Sequence, residues 1–192
     1  MEDFKRINAA HGPSIELIVD NPTNLKLIDK GAHGAVFKLS NDKCVKIYAE
    51  ERNAELEANT YRRVQGSEIV PKLYDVGSNY IVMEFIEGIS LSKYISDKKE
   101  ISFNISQKLV FLLKEMRRLG FTRLDSSLRH IIITSDGRLK IIDLVYAYVR
   151  NDTMPNKIFT ELEKIGLGKS FLEHVKQIDI TLFNEWNEAF SK

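Results

Sequence analysis

The chain has 192 residues, of which 43% are hydrophobic and 29% charged, and its 28 basic and 27 acidic side chains give a formal net charge of +1. This length predicts one domain or two small domains that share a core, and the balanced charge gives no electrostatic reason to expect nucleic-acid or membrane-surface binding. The single cysteine, Cys44, excludes an intramolecular disulfide and a cysteine-based zinc cluster, and without a signal peptide or an apolar run of about 18 residues we expect a cytoplasmic protein.

The first half of the chain alternates between short apolar runs and polar turns. Residues 1–22 carry turn signals at Gly12-Pro13 and Asn21-Pro22 and predict a loosely structured lead-in. Beyond them, short turns separate neighbouring apolar runs, which favours an antiparallel sheet. The predicted strands are residues 25–28, 35–39, 44–48, 70–76 and 80–85, with one helix over residues 54–65.

The second half of the chain is mainly helical. Helices are predicted over residues 91–96 and 105–119 and, with breaks at glycines, over residues 143–192. Between them an Asp-Gly turn joins two β-branched runs, which predicts a hairpin over residues 131–142. We therefore expect an α+β protein. Its first unit, residues 1–87, has a five-stranded antiparallel sheet and one helix, and its second, residues 88–192, is a reduced helical unit with one β-hairpin. We expect three C-terminal aromatic side chains to pack in the core rather than on a partner: Phe183, Trp186 and Phe190.

The predicted hairpin brings two acidic residues to one end. Asp125 precedes its first strand and Asp143 follows its second, so we expect the two carboxylates to lie near each other. Paired carboxylates at loop ends suit metal binding or acid–base chemistry. The alternative is two solvated aspartates, because Asp is a common turn residue.

A strand lysine and a helix glutamate are predicted to pair. Lys46 lies inside the third strand, on the same face as Cys44 and Tyr48, and its ammonium either reaches solvent or meets an acid or a phosphate. In the following helix Glu57 falls on the apolar stripe, whereas Glu55 falls on the solvated side. An unpaired buried charge is very costly, so Lys46 is the natural partner of Glu57.

A turn that begins at Gly31 and ends at Gly34 joins the first two predicted strands. It lacks the G-x-x-x-x-G-K-[ST] pattern and no helix follows it, which excludes a P-loop and a Rossmann site. A glycine hairpin of this kind can still close over phosphates with its backbone.

These features follow one another in the order found in protein kinases: a glycine turn, a strand lysine, a helix glutamate, a strand that ends in residues 83–88 and would supply a connector at Glu84, Phe85 and Ile86, and two aspartates around a hairpin. The chain therefore resembles a small, atypical member of the protein kinase-like superfamily over residues 25–143. It is similar to compact bacterial and archaeal predicted Ser/Thr kinases and to the Bud32 and RIO families. The resemblance implies a bilobal kinase-like fold, with ATP and Mg²⁺ as cofactors.

The resemblance also assigns a nucleotide site. Gly31, Gly34 and Val36 match the last two glycines and the valine of G-x-G-x-x-G-x-V, and Asp29 stands in place of the first glycine. Lys46 matches the lysine of V-A-I-K, which implies that it pairs with phosphates. The implied cofactor-binding residues are Gly31, Gly34, Val36, Cys44, Lys46, Glu57, Met83, Glu84, Ile86 and Ile132.

The implied catalytic and metal-binding positions depart from the family pattern. Asp125 occupies the position of the H-R-D aspartate, which implies that it orients or deprotonates the acceptor hydroxyl, with Lys46 as the second catalytic residue. Asp143 and His130 are the implied metal ligands. However, His130 replaces an asparagine, and Mg²⁺ prefers oxygen ligands. Asp143-Leu144-Val145 replaces D-F-G and keeps its aspartate.

The expected activity is ATP-dependent transfer of the γ-phosphoryl group to a hydroxyl acceptor, with protein serine or threonine favoured and a small-molecule alcohol or sugar left open. His130 and the altered D-F-G favour a second hypothesis, a nucleotide-binding pseudokinase that acts as a regulatory or scaffold module. Two further alternatives are an ATPase subunit of an RNA-modification assembly and an unrelated α+β binding domain. We expect no membrane partner, and nucleic-acid binding is not indicated.

Overall fold

A computed structural model describes residues 3–190 of the chain, with side chains through residue 188. The protein is of the α+β class. Its strands are β1 (Asn8–His11), β2 (Leu17–Asp20), β3 (Leu27–Lys30), β4 (Gly34–Lys38), β5 (Lys43–Tyr48), β6 (Leu73–Val76), β7 (Tyr80–Glu84), β8 (Gly88–Ser90), β9 (Ile131–Thr134) and β10 (Leu139–Ile141). Its helices are α1 (Glu51–Val64), α2 (Leu91–Lys98), α3 (Phe103–Arg118), α4 (Asn156–Lys164), α5 (Gly168–Ile178) and α6 (Ile180–Phe190).

The described residues divide into two compact units. The first contains the chain up to Ile86 together with Asp143–Val145, and the second contains Glu87–Ile142 and the chain from Tyr146 onward. After Ile142 the chain returns to the first unit for the three residues Asp143–Val145, so more than one chain boundary separates the two units.

The first unit is built on a five-stranded antiparallel sheet with the order β3-β4-β5-β7-β6. The predicted five-stranded sheet with one helix is therefore confirmed. Strand β6 begins at Leu73 rather than at residue 70, and Pro71 lies just before it. Proline has no N–H to donate to a ladder, which is consistent with a strand that starts beyond it.

The expectation of a loosely structured lead-in is wrong for the described residues. Asp3–Arg6 form a short 3-10 helix, and β1 and β2 pair as an antiparallel hairpin. The physical reason is burial of apolar surface, because this segment packs on one face of the sheet. The resulting core contains Phe4, Ile7, Ala9 and Leu17 from the N-terminal segment and Ala35, Phe37, Val45, Ile47 and Val82 from the sheet.

Helix α1 packs against strands β5, β6 and β7. The predicted apolar stripe is buried, and Glu57 is buried with it, whereas Glu55 is exposed. The buried residues of this stripe recur every three to four positions, as in an amphipathic helix with one face toward a sheet. The stripe consists of Ala54, Ala58, Tyr61 and Val64.

The second unit combines helices with a three-stranded sheet of order β10-β9-β8. The predicted hairpin is present as β9 and β10, and β8 is an additional strand that pairs with β9. The rings of Phe159, Phe171 and Trp186 pack together, with centroids 5.4–6.2 Å apart. Trp186 is fully buried, as expected, whereas Phe183 is only half-buried. The side chain of Phe190 lies outside the described part. Over residues 3–190, no helix combines the length and apolar character needed to cross a bilayer.

Candidate functional site

A buried ammonium in the first unit is held between two carboxylates. Lys46 Nζ on β5 lies 2.6 Å from Glu57 Oε2 on α1 and 2.9 Å from Asp143 Oδ1. Lys46 is 7% exposed and Glu57 is fully buried. The alternation of the strand and the stripe of the helix predict the first of these pairs, and the structure adds Asp143 to it.

Glu57 also binds two groups besides Lys46. The phenol of Tyr48 donates to Oε2 at 2.6 Å, and the backbone N–H of Leu144 donates to Oε1 at 2.8 Å. Both oxygens of this buried carboxylate are therefore occupied, as a charge removed from water requires. The Leu144 contact also fixes the peptide that follows Asp143.

The two carboxylates keep Lys46 charged. Burial lowers the pKa of Lys46, but the charges and hydrogen bonds of Glu57 and Asp143 outweigh it, so the net effect is a pKa above the ordinary value. Burial, and then the Glu57 charge, raise the pKa of Tyr48. At neutral pH the cluster therefore presents an ammonium and a phenol that retain their protons.

Asp143 has an unusual backbone conformation. Its φ angle is 63°, in the left-handed region that Asp and Asn occupy more readily than most residues. Its side chain is 35% exposed, in contrast to the buried Glu57. The pair thus offers one carboxylate that is sequestered and one that solvent or a ligand can reach.

One face of the sheet carries four of the predicted nucleotide-binding residues. Cys44 and Lys46 alternate on β5, where Val36 on β4 is opposite Lys46 and Met83 on β7 is opposite Cys44. Directly opposed residues share a face. The other face of the sheet is covered by the N-terminal segment. Burial raises the pKa of the Cys44 thiol to about 12, so it remains protonated at neutral pH and is not a nucleophile.

The two glycines of the turn have different surroundings. A Cβ at Gly34 would collide with the backbone carbonyl oxygen of Ile47, so close strand packing accounts for glycine there. A Cβ at Gly31 would meet no atom within 4 Å. The space beside Gly31 is therefore open, as a turn that approaches a ligand requires.

Two residues of the predicted connector, Glu84 and Phe85, form hydrogen bonds through their backbone groups with residues in or next to strand β5. The backbone N–H of Phe85 donates to the Asp42 carbonyl at 2.9 Å. The Glu84 carbonyl accepts the Cys44 thiol at 3.7 Å, a weak hydrogen bond. Ile86 is half-buried at the end of the first unit.

Three predicted residues lie in the second unit. The carboxylate of Asp125 accepts the backbone N–H of Lys157 in the first turn of α4. Glu161 of the same helix binds the Ser127 hydroxyl at 2.7 Å and so fixes the segment that follows Asp125. Ile132 lies half-buried on β9.

His130 is the third of the predicted residues in the second unit, and one of its ring nitrogens accepts a hydrogen bond. Arg129 Nε donates to His130 Nε2 at 2.9 Å, which requires that this nitrogen carry a lone pair rather than a proton. A metal ion at His130 Nε2 would have to displace the guanidinium. Among residues 3–190, no three His, Cys, Asp or Glu side chains cluster in a way that could hold a metal ion.

The sequence did not identify Tyr48 or the Leu144 amide as ligands of Glu57. The signal for Tyr48 was present, because residues two apart on a strand share a face. The Leu144 contact follows a residue with a left-handed backbone, Asp143, and spacing does not reveal that conformation.

Comparison with known proteins gives a consistent family assignment. The model of the RIO domain family matches residues 26–160. YrzF of Bacillus subtilis (strain 168), named as a candidate serine/threonine-protein kinase, is 29% identical over 132 residues, which cover 66% of this chain and 61% of that protein. A protein of Clostridium acetobutylicum, named as a probable serine/threonine-protein kinase, is 31% identical over 113 residues, which cover 53% of this chain and 17% of that protein.

A solved structure shares the fold. The co-crystal structure of WbdD with a kinase inhibitor matches with a TM-score of 0.56 at 16% identity, over 77% of this chain and 39% of that one. At this identity the likeness shows the fold alone, which is kinase-like. The chain spans about three fifths of YrzF and less than a fifth of the clostridial relative.

Proposed function

Because the chain belongs to the RIO domain family, a kinase-like family, we propose that it is an ATP-dependent phosphotransferase. It transfers the γ-phosphoryl group to a hydroxyl, with a protein serine or threonine as the favoured acceptor. The observation that carries the proposal is the buried ammonium of Lys46 between Glu57 and Asp143. When bound, ATP supplies the phosphoryl group and Mg²⁺ neutralises its charge.

Lys46 is suited to bind a phosphate oxygen. An ammonium has three N–H donors, and Glu57 and Asp143 take two of them. Among the described residues no other acceptor takes the third donor, which leaves it for an anionic ligand. Glu57 serves as the orienting partner, because its own position is fixed by Tyr48 and by the Leu144 amide.

Asp143 is the residue that fits Mg²⁺. Magnesium is commonly held by one or two carboxylates together with phosphate oxygens and water, and Asp143 offers a carboxylate that is 35% exposed beside the lysine. His130 is not proposed to ligate through Nε2, because Arg129 donates to that atom.

Asp125 is the proposed group that orients or deprotonates the acceptor hydroxyl. Its carboxylate is held by the Lys157 amide, and the segment after it is fixed by Glu161. The Lys157 contact restricts the carboxylate itself, which is what a positioned base requires.

Thermal-shift titration with ATP, with and without Mg²⁺, tests the nucleotide part of the proposal. We expect ATP to stabilise the protein, and Mg²⁺ to add a further shift that Asp143→Asn removes. Asp97→Asn, at an exposed helix position paired with Lys93, is the matched control and should retain both shifts.

The same titration separates the pseudokinase alternative, which the Arg129 contact at His130 favours. A pseudokinase is expected to show an ATP shift that Mg²⁺ does not increase, and no phosphoryl transfer. No ATP shift under either condition would contradict both functions.

A further inference from the structure

The N-terminal hairpin of β1 and β2 contacts the glycine turn as well as the back of the sheet. His11 Nε2 lies 2.9 Å from the carbonyl oxygen of Ala32, and Lys30 Nζ donates to the Leu17 carbonyl at 3.1 Å. Lys30 Nζ also lies 3.7 Å from Glu16 Oε1. The hairpin thus contacts Lys30, the last residue of β3, and Ala32 within the turn, on either side of Gly31.

His11 lies between the turn and the start of helix α1. A carbonyl oxygen can only accept, so the protonated Nε2 of His11 donates a hydrogen bond to the Ala32 carbonyl. The other ring nitrogen, Nδ1, lies 3.4 Å from Glu50 Oε1, at the residue that precedes α1. One partly buried side chain of the hairpin therefore donates to the glycine turn and lies beside the residue that precedes the helix that carries Glu57.

The other side of the turn is tied to the same helix region. The His33 carbonyl accepts the backbone N–H of Ala49 at 3.1 Å, and Asn53 Nδ2 lies 3.4 Å from His33 Nδ1. The hairpin contacts are therefore the ones that restrain Lys30 and Ala32, while α1 and its preceding residues restrain His33. Residues 3–20 lie outside the part of the chain that matches the RIO domain, whereas Lys30 and Ala32 lie inside it.

We propose that the N-terminal hairpin is a brace for the glycine turn, meaning that it restrains the turn in a conformation ready to bind phosphates. His11 of the hairpin and Lys30 of β3 are the positioning residues through which it acts. The nucleotide role rests on the proposed function, whereas the restraint of the turn does not. A turn that is already fixed loses less conformational freedom on binding, so the brace raises affinity for phosphate-bearing ligands.

Hydrogen exchange at the backbone amides of residues 31–34 tests the brace without nucleotide. We expect faster exchange in the double variant His11→Ala/Lys30→Met, with unchanged exchange in the core strand β5. Asn8→Ala, at an exposed position of the same hairpin, is the control and should exchange as the wild type does. Unchanged exchange at residues 31–34 in the double variant would overturn the brace.

Binding of ATP and of adenosine to the same variants tests its role. The double variant should bind ATP about tenfold more weakly, the effect of losing a hydrogen bond of ordinary strength, and adenosine as tightly as the wild type does, because adenosine has no phosphates. Equal weakening of both ligands would indicate general damage and overturn the positioning role. Faster exchange in the variant, combined with a wild type that binds no ATP, would instead contradict the proposed function and leave the brace standing.

Discussion

Glu57 is the residue on which the polar contacts of the first unit converge. Its carboxylate is fully buried and accepts from an ammonium, a phenol and a backbone amide. Burying a carboxylate costs several kcal/mol unless its oxygens are satisfied. The three donors therefore do more than orient Lys46, since they make the buried charge tolerable in a unit that must keep Lys46 in place.

Tyr48→Phe removes one of these donors without changing the shape of the side chain. We expect a loss of about 1.5–3 kcal/mol in the free energy of unfolding, the range for hydrogen bonds to charged groups, measured by urea denaturation. Tyr61→Phe is the matched control. Its phenol is equally buried but has no hydrogen-bond partner among the described residues, so its removal should be neutral or stabilising. Equal losses in the two variants would contradict the role assigned to Tyr48.

The sequence allowed the Lys46 and Glu57 pair to be predicted because each element has a fixed period. Strand alternation and the helical stripe place two side chains on facing surfaces, and a buried charge demands a partner. It did not allow the whole cluster to be predicted. The position of Asp143 beside Lys46 depends on a left-handed backbone at one residue, and no local pattern specifies that conformation.

At the scale of elements, the C-terminal helices show how a single aspartate can separate two helices and cap the second one. Helices α5 and α6 are separated by Asp179 alone. Its Oδ1 accepts the Leu182 backbone N–H at 3.0 Å, which caps the start of α6, and its Oδ2 accepts Lys114 Nζ of α3 at 3.0 Å. The sequence predicts the helix break near Gly166, but it does not predict the break at Asp179 between α5 and α6.

Asp179→Ala should lower the free energy of unfolding by about 1 kcal/mol, the usual effect of losing a helix N-cap, and Asp179→Asn should retain most of the cap. The Leu182 amide and then Lys114 lower the pKa of Asp179. A lowered pKa means that the carboxylate stabilises the fold above the pKa of the unfolded chain and loses this effect as the pH falls through the folded value.

Urea unfolding at neutral and acidic pH tests the direction in which the stabilisation by Asp179 changes with pH. The advantage of the wild type over Asp179→Asn should be present at pH 7 and shrink as the pH falls below about 4, the ordinary range of an aspartate. An advantage that stays constant or grows in acid would contradict the assignment. Because the side chain is partly exposed, the expected advantage is below about 1 kcal/mol.

Element boundaries differ from their predictions where packing or turn chemistry decides them. The strands of the central sheet were predictable from alternation, since each has an apolar side to bury. The hairpin of β1 and β2 was not, because Gly12-Pro13 signals a loose turn and the strands are only four residues long. Their pairing becomes favourable only with the apolar face of the sheet beneath them, which is a tertiary effect.

At the scale of the whole molecule, the part of the chain that matches the family does not include all of the residues that form the core of the first unit. The RIO domain match covers residues 26–160, whereas the core of the first unit also includes Phe4, Ile7, Ala9 and Leu17. The N-terminal segment is therefore part of the unit that contains Lys46.

The most direct test of the central claim is Mg²⁺-dependent transfer of a labelled γ-phosphoryl group from ATP to the protein itself, with Asp143→Asn and Asp97→Asn measured in parallel. The wild type and Asp97→Asn should transfer the label at equal rates. Asp143→Asn should be slower by at least about 100-fold while remaining folded, because an amide would hold the charge-neutralising Mg²⁺ more weakly than the carboxylate does. Transfer by Asp143→Asn at the wild-type rate, or a folded, ATP-binding wild type that transfers no label to itself or to water, would contradict the account.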